Sequence, residues 1–170
     1  MLQVVLFDKA TGVEVGQLKG DSVFVTGAIL AIASAGTDNH VLTGGEDGVV
    51  RLWDSVEFQL RGTFEGHAAA VTSLSDVQND TFISGSADGS CRMWSVSTGE
   101  FVRAFDGHDD AVTCLSARDN YFVSGSADGT LRIWRKNTGE CAAIMRPHGV
   151  PVEYTDDDER KGGQMGVTEV

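Results

Sequence analysis

Serine, histidine and aspartate, the three residue types of an acyl-transfer site, recur in this chain as sets: His67, Ser84 and Asp88, then His108, Ser124 and Asp128. Bonded in series, such a set lets the histidine take the serine proton for attack on a carbonyl. The spacing argues against that chemistry. The second set repeats the first after 40 or 41 residues, and Trp94 or Trp134 follows each aspartate at the same distance. A reaction centre is built once, whereas a set that returns with every repeat serves the repeat. No Gly-rich phosphate loop precedes a helix, and no Cys/His cluster has metal-ligand spacing. The expectation is a protein with no catalytic residues, no cofactor and no metal, and therefore not an enzyme.

The repeat is visible in three stretches. They are Thr43-Gly-Gly-Glu-Asp47-Gly-Val-Val-Arg-Leu-Trp53, Ser84-Gly-Ser-Ala-Asp88-Gly-Ser-Cys-Arg-Met-Trp94 and Ser124-Gly-Ser-Ala-Asp128-Gly-Thr-Leu-Arg-Ile-Trp134. Gly66-His67 and Gly107-His108 precede the last two, and Thr98-Gly99-Glu100 and Thr138-Gly139-Glu140 follow them. Self-similarity at this period with Gly-His and Trp marks is the signature of propeller blades. On these residues the chain resembles the Trp-Asp (WD) repeat family, and the resemblance implies an all-β fold, a partial β-propeller of four-stranded antiparallel blades.

The residues agree with that architecture. In the second unit Val71–Ser75, Thr81–Ser84, Cys91–Trp94 and Phe101–Phe105 read as four strands, and Ala87-Asp88-Gly89 supplies a hairpin turn. Val50 and Leu52 alternate with Arg51 and Trp53, as Cys91 and Met93 do with Arg92 and Trp94, so both faces of a sheet carry large side chains. Stacked sheets cover both faces, which one sheet alone does not.

The resemblance also implies a buried relay linking the turn Asp, the Gly-His histidine, a strand Ser or Thr, and the Trp indole. Here those are Asp88, His67, Ser84 and Trp94, then Asp128, His108, Ser124 and Trp134. Half-buried polar groups each need a partner, and a closed relay satisfies all four. The first unit carries Thr43, Asp47 and Trp53 but has Asp21 where the histidine should stand, so it is expected to be the softest.

Residues 1–20 read as the outer strands of a preceding blade, because Val4-Val-Leu-Phe7 matches Cys91-Arg-Met-Trp94 with Phe7 in the tryptophan position. Blades then span 21–66, 67–107 and 108–147, residues 148–155 open a further blade, and 156–170 form an acidic, Gly-rich tail. Three full blades and two half-blades are expected. A fragment of a longer protein or one part of a split propeller is favoured over a small closed ring, because Asp156 to Lys161 makes a poor strand. Open blade edges predict self-association or pairing with the remainder of a propeller.

Composition narrows the partners. The chain holds 25 acidic against 13 basic residues, a net charge of −12, which repels nucleic-acid phosphate and anionic lipid. Val23 to Gly36 is apolar but too short for a membrane span, and reads as a long buried strand. Cys91, Cys114 and Cys141 are odd in number and widely spaced, and read as small buried apolar residues of a reducing compartment, cytoplasmic or nuclear. The resemblance implies a rigid platform for partner proteins. Its candidate partner-binding loop residues are Glu46, Ala87 and Ala127 before each turn Asp, with Ala69, Ala70, Asp109 and Asp110 after the histidines. Repeats so alike also resemble those of ubiquitin-ligase substrate receptors and of G-protein β-like proteins, which implies, as the alternative, a substrate-recognition segment of a larger enzyme complex.

Overall fold

The structure is a computed structural model that describes residues 4–18, 27–35, 39–77, 80–146 and 150–154, with side chains at 76, 77 and 150–154 excepted. Short runs bounded by Gly, Asp and Asn leave no room for helices, and every described element is a strand. Strands β1 (Val4–Phe7) and β2 (Glu14–Leu18) make a two-stranded sheet. The first four-stranded sheet is β3 (Ile29–Ala35), β4 (His40–Gly45), β5 (Val50–Asp54) and β6 (Leu60–Phe64). The second is β7 (Val71–Val77), β8 (Thr81–Ser86), β9 (Cys91–Ser95) and β10 (Phe101–Phe105). The third is β11 (Val112–Arg118), β12 (Tyr121–Ser126), β13 (Leu131–Arg135) and β14 (Cys141–Arg146), with β15 (Val150–Tyr154) beside β14. Strands pair antiparallel in chain order throughout.

The repeated tryptophan has a repeated register. A bulge falls beside Trp53 and Trp134, and another opposite Trp94. Phe7 of β1 has the same bulge, so β1 and β2 stand in the register of β9 and β10. Phe7 is nevertheless 61% exposed, whereas the tryptophans are 2–3% exposed.

The turn from the third to the fourth strand closes on a left-handed residue. Gly12, Gly99 and Gly139 fill it at φ 68, 73 and 86°, and in the first sheet Phe58 takes the place at φ 58°. A bulky residue there is strained. Its ring lies against Gly16 of β2, where an added Cβ would come within 2.3 Å of the ring edge, so the missing side chain at 16 makes the room for Phe58.

The core lies between sheets. One cluster joins Leu42, Val50, Leu52 and Phe64 of the first sheet to Val71, Phe82 and Trp94 of the second. The other joins Ile83, Cys91, Met93 and Phe105 of the second to Val112, Phe122 and Trp134 of the third. The two seams are copies. Phe64 meets Phe82 edge-on at 4.8 Å and Phe105 meets Phe122 at 4.7 Å, with Phe82 and Phe122 stacked on Trp94 and Trp134. Edge-to-face and offset stacking are the favoured geometries for such rings.

Three expectations are corrected. Residues 150–154 do not open a further sheet: β15 pairs with β14, Ala143 facing Tyr154 and Arg146 facing Val150. The links 65–70 and 106–111 carry the chain across to a new sheet, but only 147–149 separate β14 from β15, a length suited to a hairpin that covers an open edge. The apolar stretch around Ile29 is not a fully buried strand either, since Leu30 and Ile32 are 46% and 59% exposed. Of the cysteines Cys91 alone is buried; Cys114 and Cys141 lie on the third sheet, exposed and half-buried. Asp21, the further apolar residues before 27, and the tail 156–170 lie outside the described residues.

Replacing Phe122, 1% exposed between two aromatic rings, with Ala is expected to cost about 3–5 kcal/mol in urea unfolding. Val56→Ala, at a position 62% exposed, is expected to change stability by less than about 0.5 kcal/mol.

Candidate functional site

Hairpin turns and strand ends place the relay. In the second sheet the His67 ring sits 3.0 Å from Asp88 Oδ2 through Nδ1 and 2.8 Å from Ser84 Oγ through Nε2. Trp94 Nε1 donates to Ser84 Oγ at 2.9 Å. In the third sheet the corresponding distances for His108, Asp128, Ser124 and Trp134 are 2.8, 2.7 and 2.8 Å. A carboxylate accepts only, so Nδ1–H donates to Asp, Nε2 accepts the serine proton, and the serine oxygen accepts the indole N–H.

This is the connectivity of an acyl-transfer triad, and burial decides what it does. Ser84 and Ser124 are 0% exposed, and both histidine side chains are 1% exposed. The oxygen that would attack already accepts a tryptophan N–H inside a core. The arrangement ties a turn, an incoming loop and a strand to one another.

Charge is held in place by donors. Burial pushes the Asp88 carboxyl up, but the Ser90 hydroxyl, the backbone N–H of Ala68 and Ser90, and His67 outweigh it and hold the group far below the usual carboxylate range. Asp128 is lowered in the same way, with burial opposed by Thr130, His108 and the N–H of Thr130 and Asp109. Burial pushes His67 down, against the pull of Asp88.

The first sheet is built differently. Trp53 Nε1 donates to Thr43 Oγ1 at 2.8 Å, as expected, but Asp47 is taken by Arg51, whose Nη2 lies 2.7 Å from Oδ2 and Nη1 3.3 Å from Oδ1. Arg51 is 5% exposed. At the matching positions Arg92 lies over the Phe101 ring and Arg132 over the Trp134 ring. Residues outside the expected set also matter: Ser90 and Thr130 clamp Asp Oδ1 at 2.6 and 2.7 Å. Their signal was in the sequence as Asp-Gly-Ser and Asp-Gly-Thr against Asp-Gly-Val in the first unit. Lacking that hydroxyl, Asp47 draws its charged partner from the strand arginine.

The relay also positions the loops. Asp88 Oδ2 accepts the Ala68 N–H and Asp128 Oδ2 the Asp109 N–H, so each aspartate grips the residue after its histidine. The N–H groups of Glu46, Ala87 and Ala127 each bond a carbonyl at 2.9 Å, from Ala28, Ala70 and Ala111. Ser86 Oγ holds the Ala69 carbonyl and Ser126 Oγ that of Asp110. Glu46, Ala87, Ala127, Asp109 and Asp110 are exposed, while Ala69 and Ala70 are half-buried. Every candidate loop residue is thus placed at a sheet end by a named hydrogen bond, and the row is acidic at Glu46, Asp109 and Asp110 and small elsewhere. Among the described residues no group of His, Cys, Asp and Glu is placed to hold a metal ion.

His108→Ala is expected to unpair Ser124 and Asp128 and to destabilise by about 1–3 kcal/mol in denaturant melts, with His67→Ala alike. Arg51→Ala is expected to cost a similar amount, since it strands Asp47 beside the core. The melting temperature is expected to fall with acidification. The unfolded chain protonates His67 below its ordinary value of 6.5 while the fold resists, so stability declines from that pH downward. Asp88 and Asp128 stay ionised in the fold below 3.8, where the unfolded chain takes up protons, so a second loss begins there. A melting temperature that stays level from pH 7 to below 6.5 counts against the His67 contribution.

The WD domain, G-beta repeat model matches residues 12–54, 58–95 and 99–135. No curated protein matches the chain. Among solved structures 1268 chains resemble it, so the fold is common and does not by itself select a role. One of them, the structure of U3-55K, superposes with a TM-score of 0.79 at 22% identity over 86% of this chain and 46% of that one. The chain thus spans about half the length of the solved chain it matches. A family model covering most of the residues, on sheets whose tryptophans and turn aspartates sit where that repeat requires them, makes the chain a member of the WD40 repeat family.

Proposed function

We propose that the chain is a non-catalytic scaffold for protein–protein interaction, working as part of a larger propeller. WD40 repeats generally mediate protein–protein interaction, and the observation that carries the reading here is the burial of Ser84 and Ser124 within their relays, 0% exposed. Both sets of residues with catalytic connectivity are spent on fixing the loops. A partner meeting Glu46, Ala87, Ala127, Asp109 and Asp110 finds backbone held in advance, so binding orders little of the scaffold.

The net charge of −12 favours protein partners over nucleic acid or an anionic membrane surface. The cytoplasm or nucleus suits the thiols: Cys91 is free, and burial pushes it up to about 12, which makes it inert. The bare third-sheet face, with Met145 42% exposed, favours association with other blades.

The test introduces Ala87→Arg and Ala127→Arg together at exposed turn positions and compares cross-linked partners with those of the parent. Loss of the parent's specific partners at an unchanged melting temperature is the expected outcome. Identical partner sets would move the interaction surface elsewhere, and hydrolysis of ester substrates abolished by Ser84→Ala would end the scaffold reading.

A further inference from the structure

At the rim of each seam, the fourth strand of one sheet stands beside the turn that joins the third and fourth strands of the next. Where β2 meets the first sheet, Gly16 leaves room for the Phe58 ring, to which an added Cβ would come within 2.3 Å. Where β10 meets the third sheet, Arg103 lies on Gly139, whose added Cβ would come within 2.9 Å of Arg103 Cδ. Arg103 Nη1 also donates to the Thr138 carbonyl at 2.6 Å. Between the first and second sheets the same two places belong to Gly62 and Gly99: Gly62 faces Leu52 as Arg103 faces Met93, and Gly99 follows Trp94 as Gly139 follows Trp134. A Cβ added at either glycine meets no atom within 4 Å. A side chain closes the rim at the flanking seams, and the middle seam carries a notch. Gly139 is half-buried beside Arg103, whereas Gly99 is exposed. Phe101, two residues on, is 49% exposed although its ring meets Trp94 edge-on at 5.7 Å.

The polar groups of the notch match those that hold Arg103. The two turns agree bond for bond: the Gly99 N–H donates to the Ser95 carbonyl at 3.1 Å, as the Gly139 N–H does to Arg135 at 2.9 Å, and both glycines are left-handed, at φ 73 and 86°. The Thr98 carbonyl therefore takes the place of the Thr138 carbonyl, and among the described residues no donor reaches it. Glu140 is held by Arg135 and Thr138, while among the described residues no side chain holds the Glu100 carboxylate. Val96 of the same turn packs against the core of this seam. Arg61, next to Gly62, is turned to Asp54 and Glu57 of its own sheet. An unmet carbonyl, a carboxylate and an apolar floor suit a cation on a flexible apolar stem, and a net charge of −12 favours a cationic visitor.

We propose that the notch between Gly62 and Gly99 receives an arginine side chain from a partner protein, its guanidinium donating to the Thr98 carbonyl and pairing with Glu100, its stem lying against Val96 and Phe101. Arg103 on Gly139 is the intramolecular copy of that contact. A guanidinium fork can serve a carbonyl and a carboxylate together in a fixed plane, which a lysine ammonium does not do. The site lies at the end of the sheets opposite Ala87 and Ala127, because successive turns of an antiparallel sheet close opposite ends. The proposal rests on the scaffold reading and gives one partner its anchoring residue.

The test is an NMR titration of the full chain with the capped tripeptide acetyl-Ala-Arg-Ala-amide, and with acetyl-Ala-Lys-Ala-amide beside it. Saturable shifts of the Gly62, Val96 and Gly99 amides are expected, with a Kd of roughly 1 mM for so small a ligand. The lysine peptide is expected to bind at least about five-fold more weakly. Glu100→Gln is expected to weaken the arginine peptide about three-fold at an unchanged melting temperature, since that side chain is exposed. Gly62→Arg supplies the arginine from the chain itself, at the position that matches Arg103. It is expected to melt at or above the parent and to abolish the shifts. Equal shifts from the arginine and lysine peptides, shifts spread over acidic residues elsewhere, or none at all overturn the proposal. So does binding that survives Gly62→Arg, and so does a Gly62→Arg chain that melts well below the parent, which would show that the notch has no room for the side chain. The scaffold reading is judged on Ala87 and Ala127 at the other end of the sheets, so either idea can fail alone.

Discussion

A tryptophan indole N–H sealed between two sheets must be accepted by something, and a serine or threonine oxygen accepts it in each of the three sheets, at 2.8 to 2.9 Å. Leaving such a donor unpaired costs on the order of 1–3 kcal/mol, more than the roughly 0.5–1.5 kcal/mol net gain from a well-made bond. The rest follows from meeting that demand. The serine hydroxyl then needs an acceptor, the histidine provides it, and the histidine needs an aspartate. That aspartate sits at a hairpin turn and holds the incoming loop by its backbone. A buried indole in the core thereby sets the position of exposed backbone at the sheet end.

The first sheet shows how far the solution can vary. Thr43 still accepts the indole N–H, but Asp47 forms a two-point ion pair with Arg51. The ion pair spans four residues of one hairpin, whereas His67 and His108 come from the link between sheets. The histidine version therefore binds a sheet to its incoming loop, whereas the ion pair joins a turn to the strand that follows it. That difference, more than the number of bonds, separates the first sheet from the others.

The same economy shapes the seams. Valine, glycine and a stacked pair of aromatic rings recur at both, so the faces match by construction. Matching faces also mean that an uncovered face stays adhesive: Ile32 and Met145 are exposed although they occupy core positions of the repeat. The pattern that makes the core thus also supplies the apolar side chains that stand exposed at Ile32 and Met145.

Much of this could be read from the chain alone. The 40-residue recurrence of Asp, Gly and Trp determined the family, the number of full sheets and the strand order, because period-two alternation and Asp-Gly turns act within a few residues. The pairing of His67 with Ser84 and Asp88 was legible through resemblance to the repeat, and the register of β1 through the match of Phe7 to Trp94. What the tertiary structure decided was everything that depends on which neighbour arrives. Arg51 and Arg92 occupy the same place in the repeat, yet one meets a carboxylate and the other a ring. Val150–Tyr154 has the composition of an inner strand but is claimed by the open edge of β14. Leu30 and Ile32 look like core and stand bare. Local sequence sets what a strand offers to each face, and only the assembled fold determines whether another surface comes to meet it.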